Sequence, residues 1–310
     1  RKSKLSNNSS FNPPSGISGD IYPNLKRIIA PNPSPMTFWG TNTYLLGTNE
    51  LAIIDPGPAI QSHFDAIMNS LNKNQSITHI LITHSHIDHS PLAKQLSERT
   101  SAPILAFGES STGKSTIMAN LKNLEGGEGV DYDFKPDVTL VDNQILKNKE
   151  WCIKSLHTPG HMGNHLCFSW EGENILFSGD LVMGWATSMV SPPDGDLTDF
   201  MNSIKSLQLR SPDKLFFPGH GAPIENPSLR LQELYEHRKK REGEILSALE
   251  TGLATISEIT ESVYADLDKR LIIAAKRNVL AHLIDLTSRK ICEVSKEITT
   301  NSRFTLTSKG

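Results

Sequence analysis

Residues 77–89 read Ile-Thr-His-Ile-Leu-Ile-Thr-His-Ser-His-Ile-Asp-His, so that an apolar run leads directly into three imidazoles and a carboxylate. The apolar run predicts a buried strand. Three crowded imidazoles must stay neutral or repel one another, and a divalent cation that binds their nitrogens removes this conflict. His84 and His86 lie two residues apart and can face one ion from an extended chain, whereas Asp88 and His89 lie past the bend. The spacing therefore predicts two metal sites.

Three further candidate ligands follow apolar runs in the same way, each directly after a turn that contains glycine. They are His161 after Pro159-Gly160, Asp180 after Ser178-Gly179, and His220 after Pro218-Gly219. Glycine allows the chain to turn sharply, and in α/β sheets ligand sites gather beyond the carboxyl ends of strands. The set of five histidines and two aspartates has enough donors for two four- or five-coordinate divalent ions if Asp180 bridges them.

The chain divides into an N-terminal arm, a sheet-rich α/β domain and a helical C-terminal unit. Residues 1–20 are rich in Ser, Asn, Pro and Gly, which predicts a disordered arm. We place the catalytic domain at 21–225 and the C-terminal unit at 226–310. Alternating apolar runs predict strands at 43–46, 51–54, 77–83, 104–107, 151–156, 166–170, 175–177 and 215–217.

The C-terminal unit shows helical spacing in three segments. They cover residues 228–249, with Ser228 as N-cap and Gly252 after the end, then 256–264 and 271–288. A polar stretch with alternating residues follows around 304–307. Three helices and a hairpin predict a small winged-helix unit.

The order and spacing of the candidate ligands resemble those of the metallo-β-lactamase superfamily. That resemblance implies an α/β fold, the αββα sandwich. It also implies one metal on His84, His86 and His161, a second on Asp88, His89 and His220, and Asp180 as the bridge. Classical β-lactamases of the superfamily have a cysteine where Asp180 stands, so antibiotic hydrolysis is disfavoured.

A narrower resemblance concerns motifs outside the ligands. Residues 32–37, 40–44 and 218–221, together with the C-terminal helices, resemble the β-lactamase-like endoribonuclease branch, which implies an endoribonuclease acting on single-stranded RNA. The segment Thr158-Pro159-Gly160-His161 is also similar to hydroxyacylglutathione hydrolases and metal-dependent thioesterases, which implies an ester or thioester hydrolase. A third reading, from another class, is a non-catalytic metal-binding interaction module.

The predicted ligand set also indicates the chemistry. Two divalent ions, two aspartates and a bridging hydroxide leave a charge of about +1, which favours anionic or polarised carbonyl substrates. Metal coordination lowers the pKa of water to about 7, so the nucleophile is available near neutrality. Asp88 and Asp180 are the catalytic candidates, assigned as ligands first. The imidazole-rich set predicts zinc, although iron and manganese also suit these donors.

The remaining histidines have weaker signals. His165 is either a buried structural histidine or a group that supports the site or faces the substrate, and we favour the first. His157 is interpreted as structural. We assign no role to four histidines without partners at ligand spacing: His63, His79, His237 and His282.

Two other motifs suggest functions that we do not adopt. Residues 108–115 fit the phosphate-loop pattern G-x-x-x-x-G-K-[ST], but they lie between ligand motifs of another fold, so we interpret them as a polar loop. The basic run at 237–241, with Lys269, Arg270, Lys276 and Arg277 further on, could meet phosphates. Nearby glutamates favour a solvated, neutralised helix face instead.

Composition sets broad limits. A net charge of -3 gives no overall attraction to nucleic acid. Three cysteines without paired spacing favour a reducing compartment. No apolar run approaches the roughly 18 residues that span a bilayer. We therefore expect a cytoplasmic protein that has no membrane partner and acts on a small molecule or single-stranded RNA.

Overall fold

The computed structural model describes residues 13–122, 124, 127, 129–210, 212–268, 271–294 and 296–308. Residues 1–12 of the predicted arm lie outside the described residues. The first strand, β1 (Gly19–Tyr22), pairs antiparallel with β2 (Leu25–Ile29). Gly19 and Asp20, which the sequence analysis placed in the arm, therefore belong to the sheet.

Within the described part of the chain, the first sheet has seven strands, which lie in sequence order. After β1 and β2 it contains β3 (Asn42–Leu46), β4 (Glu50–Ile54), β5 (Ser76–Leu81), β6 (Ile104–Ala106) and β7 (Val138–Thr139). Pairing is antiparallel up to β4 and parallel from β4 to β7. The carboxyl ends of β4, β5 and β6 therefore open on the same edge.

The second sheet has five strands in the order β12-β11-β10-β9-β8. They are β8 (Ile145–Lys147), β9 (Cys152–His157), β10 (Leu166–Trp170), β11 (Ile175–Gly179) and β12 (Leu215–Pro218). Strands β11 and β12 are parallel, whereas the other pairs are antiparallel.

Helices cover the outer faces of the two sheets. Helices α1 (Gln61–Asn69) and α2 (Leu92–Thr100) pack their apolar side chains on the first sheet, and α4 (Leu197–Leu209) packs on the second. The short α3 (Thr116–Asn120) lies between β6 and β7 in the chain. A core that includes Tyr44 and Phe177 fills the space between the sheets. The predicted αββα sandwich is confirmed.

In the described residues, the C-terminal unit contains three helices and a hairpin. They are α5 (Pro227–Glu250), α6 (Ile256–Val263) and α7 (Ile272–Ser288), with β13 (Cys292–Val294) antiparallel to β14 (Phe304–Leu306). Buried side chains such as Leu283 and Phe304 form a core that Met118 of α3 also joins. This is the predicted arrangement.

The predicted N-cap of the long helix is wrong. Asn226 caps α5, because its side chain accepts a hydrogen bond from the Leu229 backbone N–H at 3.2 Å. Pro227 occupies the first helical turn, where its missing N–H has no cost. Ser228 lies inside the helix.

Among the described residues, no helix combines the length and the apolar character needed to cross a membrane.

The corrected cap has a measurable consequence. Replacing Asn226 by Ala is expected to lower the free energy of unfolding by about 1 kcal/mol, because the Leu229 N–H loses its acceptor. Ser228→Ala is the matched control and is expected to change it by less than about 0.5 kcal/mol. Urea unfolding of both variants measures the difference. A larger loss in Ser228→Ala would contradict the assignment of the cap.

Candidate metal centre

The seven candidate ligands converge where the carboxyl ends of strands from both sheets meet. The segment 84–89 follows β5, His161 follows β9, Asp180 follows β11 and His220 follows β12. Their ligand atoms form three overlapping groups, and within each group all the atoms lie within 4.8 Å of one another. The groups are His84, His86, His161; His84, His89, Asp180; and Asp88, His89, His220. The structure thus brings together every ligand predicted from the sequence.

We call His84, His86 and His161 the first set, and it contains only imidazoles. His86 Nδ1 lies 2.9 Å from His84 Nε2 and 3.0 Å from His161 Nε2. On the far side of its ring, His161 Nδ1 donates a hydrogen bond to the Met189 carbonyl oxygen at 2.7 Å. Because that bond places the proton on Nδ1, Nε2 of His161 keeps its lone pair for the shared centre.

We call Asp88, His89 and His220 the second set, and it combines two imidazoles with a carboxylate. Asp88 Oδ2 lies 3.3 Å from His89 Nε2 and 3.2 Å from His220 Nε2. His220 Nδ1 donates to the Gly40 carbonyl oxygen at 3.2 Å. The Nε2 atom of His220 therefore faces the centre, as His161 Nε2 does in the first set.

Asp180 lies between the two sets. Its Oδ2 atom is 3.2 Å from His220 Nε2 and 3.7 Å from His161 Nε2. Its Oδ1 atom is buried and has no hydrogen-bond partner among the described residues. Gly219 leaves the room for this oxygen, since a Cβ there would lie 2.2 Å from Oδ1. A buried carboxylate oxygen that accepts no hydrogen bond from the described residues and lies 3.5 Å from His89 Nε2 fits a pair of divalent cations bridged by Asp180.

The electrostatics of the two sets differ. Burial and, after it, the neighbouring His161 together lower the pKa of His86 to about 3. Burial also opposes protonation of His220, but the carboxylates of Asp180 and Asp88 outweigh it and raise its pKa to about 9. The first set is therefore neutral, whereas the carboxylates of the second attract positive charge.

Asp55 is a functional residue that the sequence analysis missed. It directly follows β4, is buried, and accepts a hydrogen bond from His89 Nδ1 at 2.8 Å. The Thr83 backbone N–H and hydroxyl also donate to its carboxylate, at 2.8 and 2.7 Å. Asp55 therefore orients His89 and the start of the ligand segment. The turn Asp55-Pro56-Gly57 after an apolar strand is the signal that could have identified it.

His165 is buried and lies behind the bridging carboxylate. Its Nε2 accepts the Asp180 backbone N–H at 3.2 Å, so the proton is on Nδ1, which donates to Thr158 Oγ1 at 3.0 Å. His165 is thus buried and holds the backbone of Asp180, so it supports the candidate site, which is the alternative that the sequence analysis did not favour. His157 stacks on Phe107 with ring centroids 3.7 Å apart, which agrees with its structural interpretation.

The phosphate-loop pattern forms part of the catalytic domain's packing. Lys114 Nζ pairs with Asp194 Oδ1 at 2.8 Å, and the Ser115 hydroxyl donates to Asp196 Oδ2 at 2.6 Å. Both groups that a phosphate would need are therefore engaged by carboxylates. The interpretation as a polar loop agrees with these contacts.

The basic run on α5 is only partly a solvated face. Lys239 pairs with Glu242 at 2.6 Å and Arg241 with Glu244 at 2.7 Å, as the sequence suggested. Arg238, in contrast, is buried. Lys269 and Arg270 lie outside the described residues.

Comparison with known proteins agrees with this architecture. The family model described as Metallo-beta-lactamase superfamily matches residues 36–220, and the model described as Beta-lactamase associated winged helix domain matches residues 255–294. Beta-lactamase-like protein 2 homolog from Caenorhabditis elegans is 32% identical over 275 residues, covering 86% of this chain and 83% of that protein. Atrochrysone carboxyl ACP thioesterase from Aspergillus fumigatus is 29% identical over 265 residues, covering 80% and 75%.

Solved structures show the same fold across both units. A beta-lactamase domain protein from Burkholderia ambifaria superposes with a TM-score of 0.78 at 20% identity and covers 96% of each chain. A metallo-beta-lactamase family protein from Thermus thermophilus gives 0.73 at 22% identity, covering 93% of this chain and 100% of that one. The chain therefore belongs to the metallo-beta-lactamase superfamily of hydrolases and carries a beta-lactamase-associated winged helix domain.

Proposed function

We propose that this chain is a binuclear metal-dependent hydrolase that cleaves a thioester or ester bond of a small acyl substrate. The position of Asp180 between two ligand sets is the observation that carries the proposal. In this proposal one divalent ion is held by His84, His86 and His161, and the other by Asp88, His89 and His220. Asp180 bridges the two ions, and zinc is the expected metal. The catalytic domain is proposed to span 19–225, which includes all of β1, and the winged-helix unit 226–310.

Divalent ions bound in this way polarise a carbonyl and lower the pKa of water to about 7. The residues of the chain hold the geometry that this chemistry needs. Asp88 and Asp180 would hold the metals and are the proposed catalytic carboxylates, and Thr41 Oγ1 donates to Asp88 Oδ2 at 3.2 Å. His89 and Asp180 are buried, so bulk water has little access to these two side chains.

Apolar and aromatic side chains lie close to the ligands in the chain and favour an acyl substrate. Ile87, between two ligands, is 53% exposed, and Phe38, two residues before Gly40, is 36% exposed. The Phe38 ring stacks on Trp39 and on Trp185, with centroid distances of 4.7 and 4.9 Å. A Cβ on Gly221, next to His220, would lie 2.7 Å from Trp185 Cδ1. The stacked rings of Phe38, Trp39 and Trp185, which we call the aromatic wall, therefore lie beside the second ligand set.

The structure weakens the argument for an RNA substrate. The basic helix that suggested phosphate contacts uses Lys239 and Arg241 in pairs with glutamates, and Arg238 is buried. The relative from Aspergillus fumigatus carries the name of a thioesterase. Both observations favour the thioester, and single-stranded RNA becomes the competing substrate in the test.

The function is tested by loss and return of metal. We expect the purified chain to hydrolyse acyl-pantetheine thioesters, to lose this activity when chelated, and to regain it with zinc. Asp180→Asn is expected to lower activity by at least about 100-fold, because the bridging charge is lost. Asp133→Asn, an exposed carboxylate, is the control. Cleavage of labelled single-stranded RNA together with no turnover of any thioester would overturn the acyl assignment.

The aromatic wall predicts a selective effect on binding. Phe38→Ala is expected to raise KM for a long-chain acyl thioester about tenfold, which corresponds to about 1.4 kcal/mol of lost contact. KM for the acetyl thioester should stay unchanged, because that acyl group is too short to need the wall. Leu209→Ala removes a side chain that is exposed at the end of α4 and serves as the control. Equal changes in KM for both substrates would contradict this role.

Asp55 is expected to influence metal affinity without touching the metal. Asp55→Asn keeps the shape of the side chain but removes the charge that orients His89, so affinity at the second site should fall about tenfold to hundredfold. Asp65→Asn, a carboxylate on the exposed side of α1, is the control. Competition between the protein and a chromogenic zinc chelator measures both. Unchanged affinity in Asp55→Asn would argue against His89 as a ligand.

A further inference from the structure

The segment 183–189 links the metal centre to the C-terminal unit. It follows Asp180 and leads toward α4. Its Met189 carbonyl oxygen accepts the hydrogen bond from His161 Nδ1 at 2.7 Å, and Ser188 Oγ lies 3.3 Å from the same nitrogen. The orientation of the His161 ring therefore depends on where this backbone lies.

Two arginines of α5 hold the backbone of that segment. Arg230 donates from Nε to the Met183 carbonyl oxygen and from Nη2 to the Ala186 carbonyl oxygen, both at 2.8 Å. Arg238 donates from Nη2 to the Ser188 carbonyl oxygen at 2.6 Å. Three carbonyl groups of one segment are thus bound by one helix. The last of them precedes Met189, which holds His161.

The environment of Arg238 shows that its position is closely defined. Its side chain is 3% exposed. Its Nη1 donates to Asn278 Oδ1 on α7, and its guanidinium lies 5.1 Å from the centroid of the Phe200 ring on α4. In the described part of the chain, the oxygen atoms that bind the Arg238 guanidinium belong to a backbone carbonyl and a side-chain amide. A buried cation with neutral partners of this kind is costly to retain. That cost is consistent with a role of Arg238 in holding the backbone of the segment 183–189 in place.

We propose that Arg238 is a positioning residue for the metal centre. It fixes the Ser188-Met189 backbone, and this backbone orients His161 in the first ligand set. The winged-helix unit is then a structural part of the active site and not only an appended domain. This inference rests on the proposed role of His161 as a metal ligand.

The test is cobalt binding by the full chain after metal removal. The d–d absorption of Co²⁺ reports ligand geometry, and competition with a chelator gives the affinity. The wild-type chain is expected to bind two Co²⁺ ions. In Arg238→Met, affinity at one site should fall about tenfold to hundredfold with a changed d–d spectrum. Arg238→Lys should recover part of both, because an ammonium can still donate to the Ser188 carbonyl oxygen.

Arg241→Met is the matched control, since Arg241 lies on the same helix but bonds to the Val263 carbonyl oxygen and packs over Tyr264 inside the C-terminal unit. It should lower Tm and leave cobalt binding unchanged. If Arg238→Met does not fold, Arg230→Met removes the other two bonds to the segment and should weaken the same site.

The outcomes separate this inference from the proposed function. Wild-type affinity and spectrum in Arg238→Met, or in Arg230→Met where that variant replaces it, would overturn the positioning role and leave the binuclear site intact. Failure of the wild-type chain to bind two Co²⁺ ions would overturn both.

Discussion

The crowding of five imidazoles and two carboxylates at one buried place is the constraint on which the rest of this structure depends. An imidazole ring that is not held in one orientation could direct its N–H, and not its lone pair, toward the centre. The fold prevents this by giving rings an acceptor on the side away from the centre: Asp55 for His89, the Met189 carbonyl oxygen for His161 and the Gly40 carbonyl oxygen for His220. The lone pairs then point inward, which is the state a cation binds.

These acceptors come from distant parts of the chain, so the site requires both sheets to be in place. The first sheet supplies Asp55 and the segment 84–89, and the second sheet supplies the turns after β9, β11 and β12. The core between the sheets fixes their separation. Small residues complete the fit where the parts come closest, as Gly219 does beside Asp180. The geometry of the metal centre therefore depends directly on how the two sheets pack against each other.

The contacts of α5 extend this dependence to the C-terminal unit. A run of basic residues would ordinarily be a solvated face, and most of this one is paired with glutamates. Arg238 differs because the helix turns it inward against Phe200 and the Ser188 carbonyl oxygen. Basic residues that are neighbours in the chain thus serve solubility on one side of the helix and the architecture of the site on the other.

The sequence by itself determined the αββα class, the C-terminal helices and the candidate ligands, because local periodicity and glycine turns before ligand-type residues are visible along the chain. It missed four strands and a helix cap: the polar edge strand β1, the neighbouring β2 with its two basic residues, the short β7 and β8, and the N-cap Asn226. Local patterns at these places are short or interrupted by polar residues. Only the tertiary structure identified Asp55 and separated Arg238 from its neighbours. Both depend on contacts between residues more than 30 positions apart, and no local pattern contains that information.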